Sequence, residues 1–166
     1  MSDTLQLRVQ SKGAEQTEAL GESLGKRLRG GEVIELVSDL GGGKTTLVRG
    51  LARGAGSHDH VASPTFTMSK VYEAGDLQLH HFDFYRLDEA GILADELAEI
   101  IDDERNVTVV EWSDIVKQVL PATRLTITIN QSGLTAEDER QIIIEVPAEY
   151  SYMLQAAPHG KQGGEQ

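Results

Sequence analysis

Residues 33–51 read VIELVSDLGGGKTTLVRGL. A run of apolar and β-forming residues enters a glycine triplet, passes through Lys44, Thr45 and Thr46, and continues as a helical pattern that Gly54 and Gly56 are expected to end near Arg53. Strand, glycine loop, Lys-Thr and helix is the order of a phosphate-binding loop, and a unit of this kind commits the chain to an α/β architecture. Backbone N–H groups of Gly41, Gly42, Gly43 and the first helical turn can line one concavity, where the positive end of the helix dipole adds to them. In such a loop Lys44 reaches the β- and γ-phosphates and the Thr45 hydroxyl ligates Mg²⁺. The usual pattern G-x-x-x-x-G-K-[ST] has glycine where this chain has Ser38. Glycine tolerates positive φ, so a serine there either distorts the turn or marks a turn compatible with it. Taken alone, the motif also reads as a flexible glycine turn followed by a helix cap.

The rest of the chain extends this unit. LQLRV (5–9) alternates as a strand, residues 14–28 carry apolar positions at helical spacing before Gly30-Gly31, and Val33 to Val37 form a strand that is buried or nearly so. FTMSKVYEAGDLQLHHFDFYRL holds two alternating runs around Gly75-Asp76, a hairpin pattern. DEAGILADELAEIIDDE is helical and acidic, and NVTVVEW is a buried strand. RLTITINQSGLTAEDERQIIIEV gives a second hairpin. The expected fold is a single α/β P-loop NTPase-like domain with a central sheet, mostly parallel where helices intervene and antiparallel at the hairpins, flanked by helices. The 166 residues suffice for one domain, assigned to 1–156. Residues 157–166, APHGKQGGEQ, read as a loose C-terminal tail.

Composition narrows the function. With 27 acidic and 15 basic residues the net charge is −12, so the surface repels a phosphate backbone, and DNA or direct RNA binding is not expected as the main activity. Zero cysteines exclude disulfides and thiolate metal sites. No apolar run reaches the ~18 residues of a membrane helix, and the N-terminus lacks the apolar core of a signal peptide, which makes the cytoplasm the expected location.

A nucleotide hydrolase needs a second acid for its metal at the end of a neighbouring strand. Glu111 closes VTVVE and would emerge at the C-terminal sheet edge beside the loop; its alternative is a solvated strand end. Trp112, the only tryptophan, reads as core more readily than as a nucleotide stacker. HHFDFYR puts His81, Asp83 and Tyr85 on one face and Phe82 and Phe84 on the other. The polar face could position an attacking water or be a surface ladder. SPTFT (63–67) offers Thr65 after a proline, either a switch segment sensing the γ-phosphate or a plain Pro turn.

SDLGGGKTTLVRG, SPTFT, HHFDFYRL and VVEW, in that order and at these separations, resemble the TsaE (YjeE) family of small bacterial P-loop ATPases, over roughly residues 15–140. The resemblance implies a Mg²⁺-dependent ATPase required for N6-threonylcarbamoyladenosine in tRNAs reading ANN codons. It would act with TsaB and TsaD, would not itself be the transferase, and would hydrolyse ATP slowly without those partners. By motif match, the loop from Asp39 and Leu40 through Gly41, Gly42 and Gly43 to Lys44, Thr45 and Thr46 would hold ATP. Thr45 and Glu111 would hold Mg²⁺, Asp83 would be the catalytic acid-base or water-positioning group, and Thr65 the switch hydroxyl. Arg140 falls about where the family has an arginine near the nucleotide. The tRNA would be reached indirectly, through the complex. Two other functions share the loop. A small-molecule kinase would need a lid with arginines over a second substrate, and a nucleotide-binding regulatory subunit would lack significant turnover.

Overall fold

The computed structural model describes residues 3–38, 43–64, 68–85, 87–89, 91–131 and 137–156. Seven strands form one sheet: β1 (Thr4–Ser11), β2 (Val33–Ser38), β3 (Ser69–Ala74), β4 (Leu77–Asp83), β5 (Asn106–Glu111), β6 (Leu125–Gln131) and β7 (Arg140–Pro147). Their order is β1-β7-β6-β2-β5-β4-β3. The four central strands β6, β2, β5 and β4 run parallel. Antiparallel pairing is confined to the flanks, where the β3–β4 and β6–β7 pairs are the expected hairpins. A third antiparallel pair, β1 with β7, joins the two ends of the chain, which no local turn signal announces. Gly75 takes the left-handed φ of 64° at the first position of the two-residue β3–β4 turn.

Three helices flank the sheet: α1 (Ala14–Gly25), α2 (Lys44–Ala55) and α3 (Ile92–Ile101). On one face Leu20 and Leu24 of α1 and Leu47, Val48 and Leu51 of α2 pack on Ile34, Leu36, Val109, Ile127 and Ile144. On the other, Leu97 of α3 and Val116 of a 3₁₀ turn at Ser113–Val116 pack on Val33, Phe82 and Val110. All six residues of β5 are buried, as expected of a parallel strand covered on both faces.

The glycines of α2 do a different task from the one the sequence suggests. Helix α2 runs through Gly54 to Ala55, and Gly56 alone ends it, with φ 103° and its N–H on the Arg53 carbonyl. A Cβ on Gly54 would stand 2.0 Å from the Glu22 carbonyl oxygen, and one on Gly50 2.1 Å from that of Glu18. Glycine therefore sets the distance between α1 and α2, and the ion pair of Arg53 with Glu18 closes the same seam. Helix α1 in turn stops at Gly25, three residues short of the expected end at residue 28. Its last carbonyls are satisfied by turn bonds, that of Leu24 accepting from Arg27 N–H and that of Gly25 from Leu28 N–H.

The C-terminal 3₁₀ segment Ala148–Ala156 is tied back to the sheet. The Tyr152 hydroxyl donates to Glu32 Oε1 at 2.9 Å, and the Arg29 guanidinium lies 3.9 Å from the centre of the Tyr152 ring. Burial first, and then the Glu32 charge, push the Tyr152 phenol up, so it stays a donor to that carboxylate. The assigned tail, 157–166, lies outside the described residues.

Candidate functional site

The C-terminal ends of the parallel strands carry the site. Helix α2 begins one residue after Gly43, whose φ of 97° is open to glycine and costly for other residues. No acidic side chain occupies its first turn, and no side chain caps it. Among the described residues, the first turn of α2 thus brings no anion of its own to the positive end of the helix dipole. Lys44 is buried, with 8% exposure. Nζ donates to the Ser38 carbonyl at 3.2 Å and lies 5.0 Å from the centre of the Trp112 ring, within cation–π range. Thr45 and Thr46 follow in the first turn, both partly exposed. Asp39, Leu40, Gly41 and Gly42 lie outside the described residues.

Ser38 resolves the departure from the usual pattern. It is the last residue of β2, in parallel register with Ile129, and it is absent from the positive-φ residues of the chain. A serine in strand backbone needs none of glycine's freedom, so the loop leaves β2 undistorted at this position.

Glu111 is the last residue of β5 and is buried, not a solvated strand end. It is in register with Leu36 on one side and Asp83 on the other. Asp83 is buried too, so the polar surface ladder is excluded. Two neighbouring carboxylates out of water repel each other unless a cation stands between or beside them. His81 Nε2 lies 3.1 Å from Glu111 Oε2. The expected alternation stops at Asp83. Strand β4 ends there, and Tyr85 turns outward with its N–H on Asp83 Oδ1 at 3.0 Å and its ring 4.9 Å from that of Trp112. Phe82 and Phe84 are both core, with ring centroids 5.8 Å apart.

Two non-glycine residues adopt positive φ among the described residues, and both border these carboxylates: Trp112 at 55° and Met68 at 64°. Such backbone is strained for side chains of this size, and strain of this kind gathers at functional sites. Trp112 turns the chain immediately after Glu111 and lays its ring over Lys44. The sequence reading of a core tryptophan holds in part: Trp112 is partly buried and packs against the core on the α3 side. Met68 follows the Thr65 segment. Its N–H donates to the Pro64 carbonyl and its carbonyl accepts from Asp83 N–H at 2.9 Å. On the other side Tyr72 donates its hydroxyl to the Ala62 carbonyl at 3.0 Å. Burial raises the Tyr72 pKa most, the Ala62 bond works against it, and the charges of Glu111 and Asp59 add to the rise. Both flanks of the segment are therefore anchored, the Met68 side on Asp83 and the Ala62 side on Tyr72, whereas Thr65 itself lies outside the described residues.

Arg140 begins β7, opposite Gln131, at the same sheet edge and two strands from β2. Its Nη1 donates to the carbonyls of Glu137 and Glu139. A cavity of about 290 Å³ adjoins Lys44's neighbours on the α3 side, lined by Val37, Ser38, Trp112, Lys117, Thr128 and Asn130. Behind it Glu35 pairs with Arg124 at 2.9 Å.

The donor set suits a hard divalent cation held jointly with phosphate oxygens. It offers hydroxyl and carboxylate oxygens on neighbouring elements and no thiolate. Among the described residues no group of three or more His, Cys, Asp or Glu could by itself hold a metal ion.

Comparison with known proteins agrees with this geometry. The family model for threonylcarbamoyl adenosine biosynthesis protein TsaE matches residues 11–142. The tRNA threonylcarbamoyladenosine biosynthesis protein TsaE of Bacillus subtilis is 38% identical over 141 residues, covering 82% of this chain and 84% of that protein. The TsaE of Treponema pallidum is 36% identical, over 83% of this chain and 99% of that one. The crystal structure of Bacillus subtilis YdiB superposes with a TM-score of 0.69 at 31% identity, over 93% of this chain and 94% of the other. The chain belongs to the TsaE family.

Proposed function

We propose that this TsaE-family protein is a Mg²⁺-dependent ATPase that serves N6-threonylcarbamoyladenosine formation in tRNAs reading ANN codons. It acts in the cytoplasm with TsaB and TsaD and leaves the transfer step to them. The observation that carries the reading is the meeting, at one sheet edge, of the Lys44 amine, a helix N-terminus with no acidic residue in its first turn, and the buried pair Asp83 and Glu111.

In this reading the loop from Asp39 and Leu40 through Gly41, Gly42 and Gly43 wraps the phosphates with its amides, and those of Thr45 and Thr46 continue the cradle. Lys44 supplies a point charge to the β- and γ-phosphates and leaves the Ser38 carbonyl to do so. Thr45 and Glu111 hold Mg²⁺, which neutralises phosphate charge as it develops. Asp83 orients the water that attacks the γ-phosphate and takes up its proton. Thr65, on a segment whose Met68 flank is bonded to Asp83, senses that phosphate, and Arg140 approaches the nucleotide from β7.

The kinase alternative requires an arginine-bearing lid, and the stretch after α2 offers only Arg86 before α3. The regulatory-subunit alternative rested on Ser38, which keeps ordinary strand backbone. No helix among the described residues is long and apolar enough to cross a membrane. With a net charge of −12, an encounter with tRNA through protein partners is favoured over direct binding.

The test is affinity capture from a bacterial lysate with the tagged protein and Mg²⁺–ATP, read by mass spectrometry. TsaB and TsaD are the expected companions, enriched over a nucleotide-free control. Their absence under both conditions would contradict the proposed partnership.

A further inference from the structure

Two histidines adjoin in β4 and meet opposite fates. His80 points to the α3 side, where its Nε2 bonds Asn106 Oδ1 at 3.1 Å, and Asn106 passes its own amide to the Ile100 carbonyl. That is a buried histidine with a structural partner. His81 points to the α2 side, with 0% exposure, and neither ring nitrogen has a hydrogen-bond partner among the described residues. Its nearest acceptor is Glu111 Oε2, 3.1 Å from Nε2 but out of line for a hydrogen bond. An apolar side chain of the same size would fill this place without the desolvation cost of two unspent ring nitrogens.

We propose that His81 is a positioning residue for Glu111: its Nε2–H holds one carboxylate oxygen so that the other faces the cation. The assignment rests on the Mg²⁺–ATP reading above and deepens it. His81 is closed off from the cleft, so it can touch neither water nor phosphate there, and its action passes through the carboxylate. Glu111 has three rotatable side-chain bonds and a side chain only 3% exposed, with apolar Leu36 as its partner on β2. Nε2–H of the imidazole supplies the orienting donor. Donors of this kind, one shell behind a metal ligand, fix ligand orientation and commonly alter metal affinity by ~10–100-fold when removed. At 3.1 Å the pair is within hydrogen-bond distance, and such bonds tighten when the ligand arrives.

The test compares His81→Phe, which keeps a ring and removes both nitrogens, with His81→Gln, whose amide nitrogen can take the place of Nε2. His81→Asn sets its amide nearer the place of Nδ1. Thermal melting, affinity for a fluorescent ATP analogue in EDTA, and the Mg²⁺ concentration for half-maximal phosphate release are measured on each. The expected result is a ~10-fold rise in that Mg²⁺ requirement for His81→Phe. Metal-free nucleotide affinity should be unchanged, and His81→Gln should recover most of the loss. An unshifted Mg²⁺ requirement in folded His81→Phe, or equal shifts in the Phe and Gln variants, would overturn the assignment. If His81→Phe does not fold, the Gln and Asn variants decide: Gln near wild type with Asn shifted supports it, and equal behaviour overturns it. Wild-type protein that needs no Mg²⁺ would remove the Mg²⁺–ATP reading itself, and this assignment with it.

Discussion

Asp83 and Glu111 stand side by side as register partners at the ends of β4 and β5, both buried and both on the face that carries α2. Parallel neighbours ~4.8 Å apart put two carboxylates in mutual repulsion, which a cation beside them relieves.

Their proposed tasks differ, and so should their variants. Glu111→Gln should leave metal-free nucleotide binding nearly unchanged and lower Mg²⁺-dependent hydrolysis by ~10²-fold or more. Asp83→Asn should bind Mg²⁺–ATP with near-normal affinity and turn it over slowly, because the lost group handles water and its proton. Titration of Mg²⁺ against phosphate release separates them. An unchanged requirement and rate in Glu111→Gln would assign the metal to another carboxylate.

Ser38→Gly tests whether the departure from the loop pattern matters. Since Ser38 has strand backbone, glycine relieves no strain there, and ATP affinity should stay within about twofold of wild type. Glycine in a strand should instead cost ~0.5–1 kcal/mol of stability, read as a melting temperature lower by a few degrees. A markedly tighter ATP complex would show that the serine does burden the loop.

His80 gives the fold a pH dependence away from the site. Burial lowers its pKa below the ordinary 6.5, outweighing the Asn106 bond and the charges of Asp103, Glu73 and Glu96, which act the other way. The unfolded chain then takes up a proton near pH 6.5 that the folded chain refuses. The stability His80 contributes is full above that pH and is lost as pH falls toward its folded value. Melting temperatures from pH 8 to pH 5 should fall less steeply for His80→Gln than for wild type. Parallel curves would remove His80 from the acid response.

Much of this was legible in the sequence because it is local. The strand and helix that flank the glycine loop, the hairpin at Gly75-Asp76, and the burial of VTVVE all follow from spacing and residue type. What the sequence did not disclose depends on neighbours distant along the chain. Gly54 looks like a helix stop until Glu22 of α1 is seen against it. Ser38 looks like a defect until its strand pairing is known. Trp112 reads as core because no sequence signal records that a left-handed residue after Glu111 lays the ring over Lys44. His80 and His81 are identical in type and adjacent. Only the sheet shows that one finds Asn106 and the other stands beside Glu111 without a bond.

The central claim is that Lys44 and the loop before it bind ATP for hydrolysis, and Lys44→Ala tests it most directly. The side chain is held by a carbonyl and an aromatic face, not by the hydrophobic core, so the melting temperature should change little. Phosphate release from Mg²⁺–ATP should fall by the ~2–4 kcal/mol of a lost charge-assisted contact, ~30-fold or more. A folded Lys44→Ala protein that releases phosphate at the wild-type rate would contradict the account.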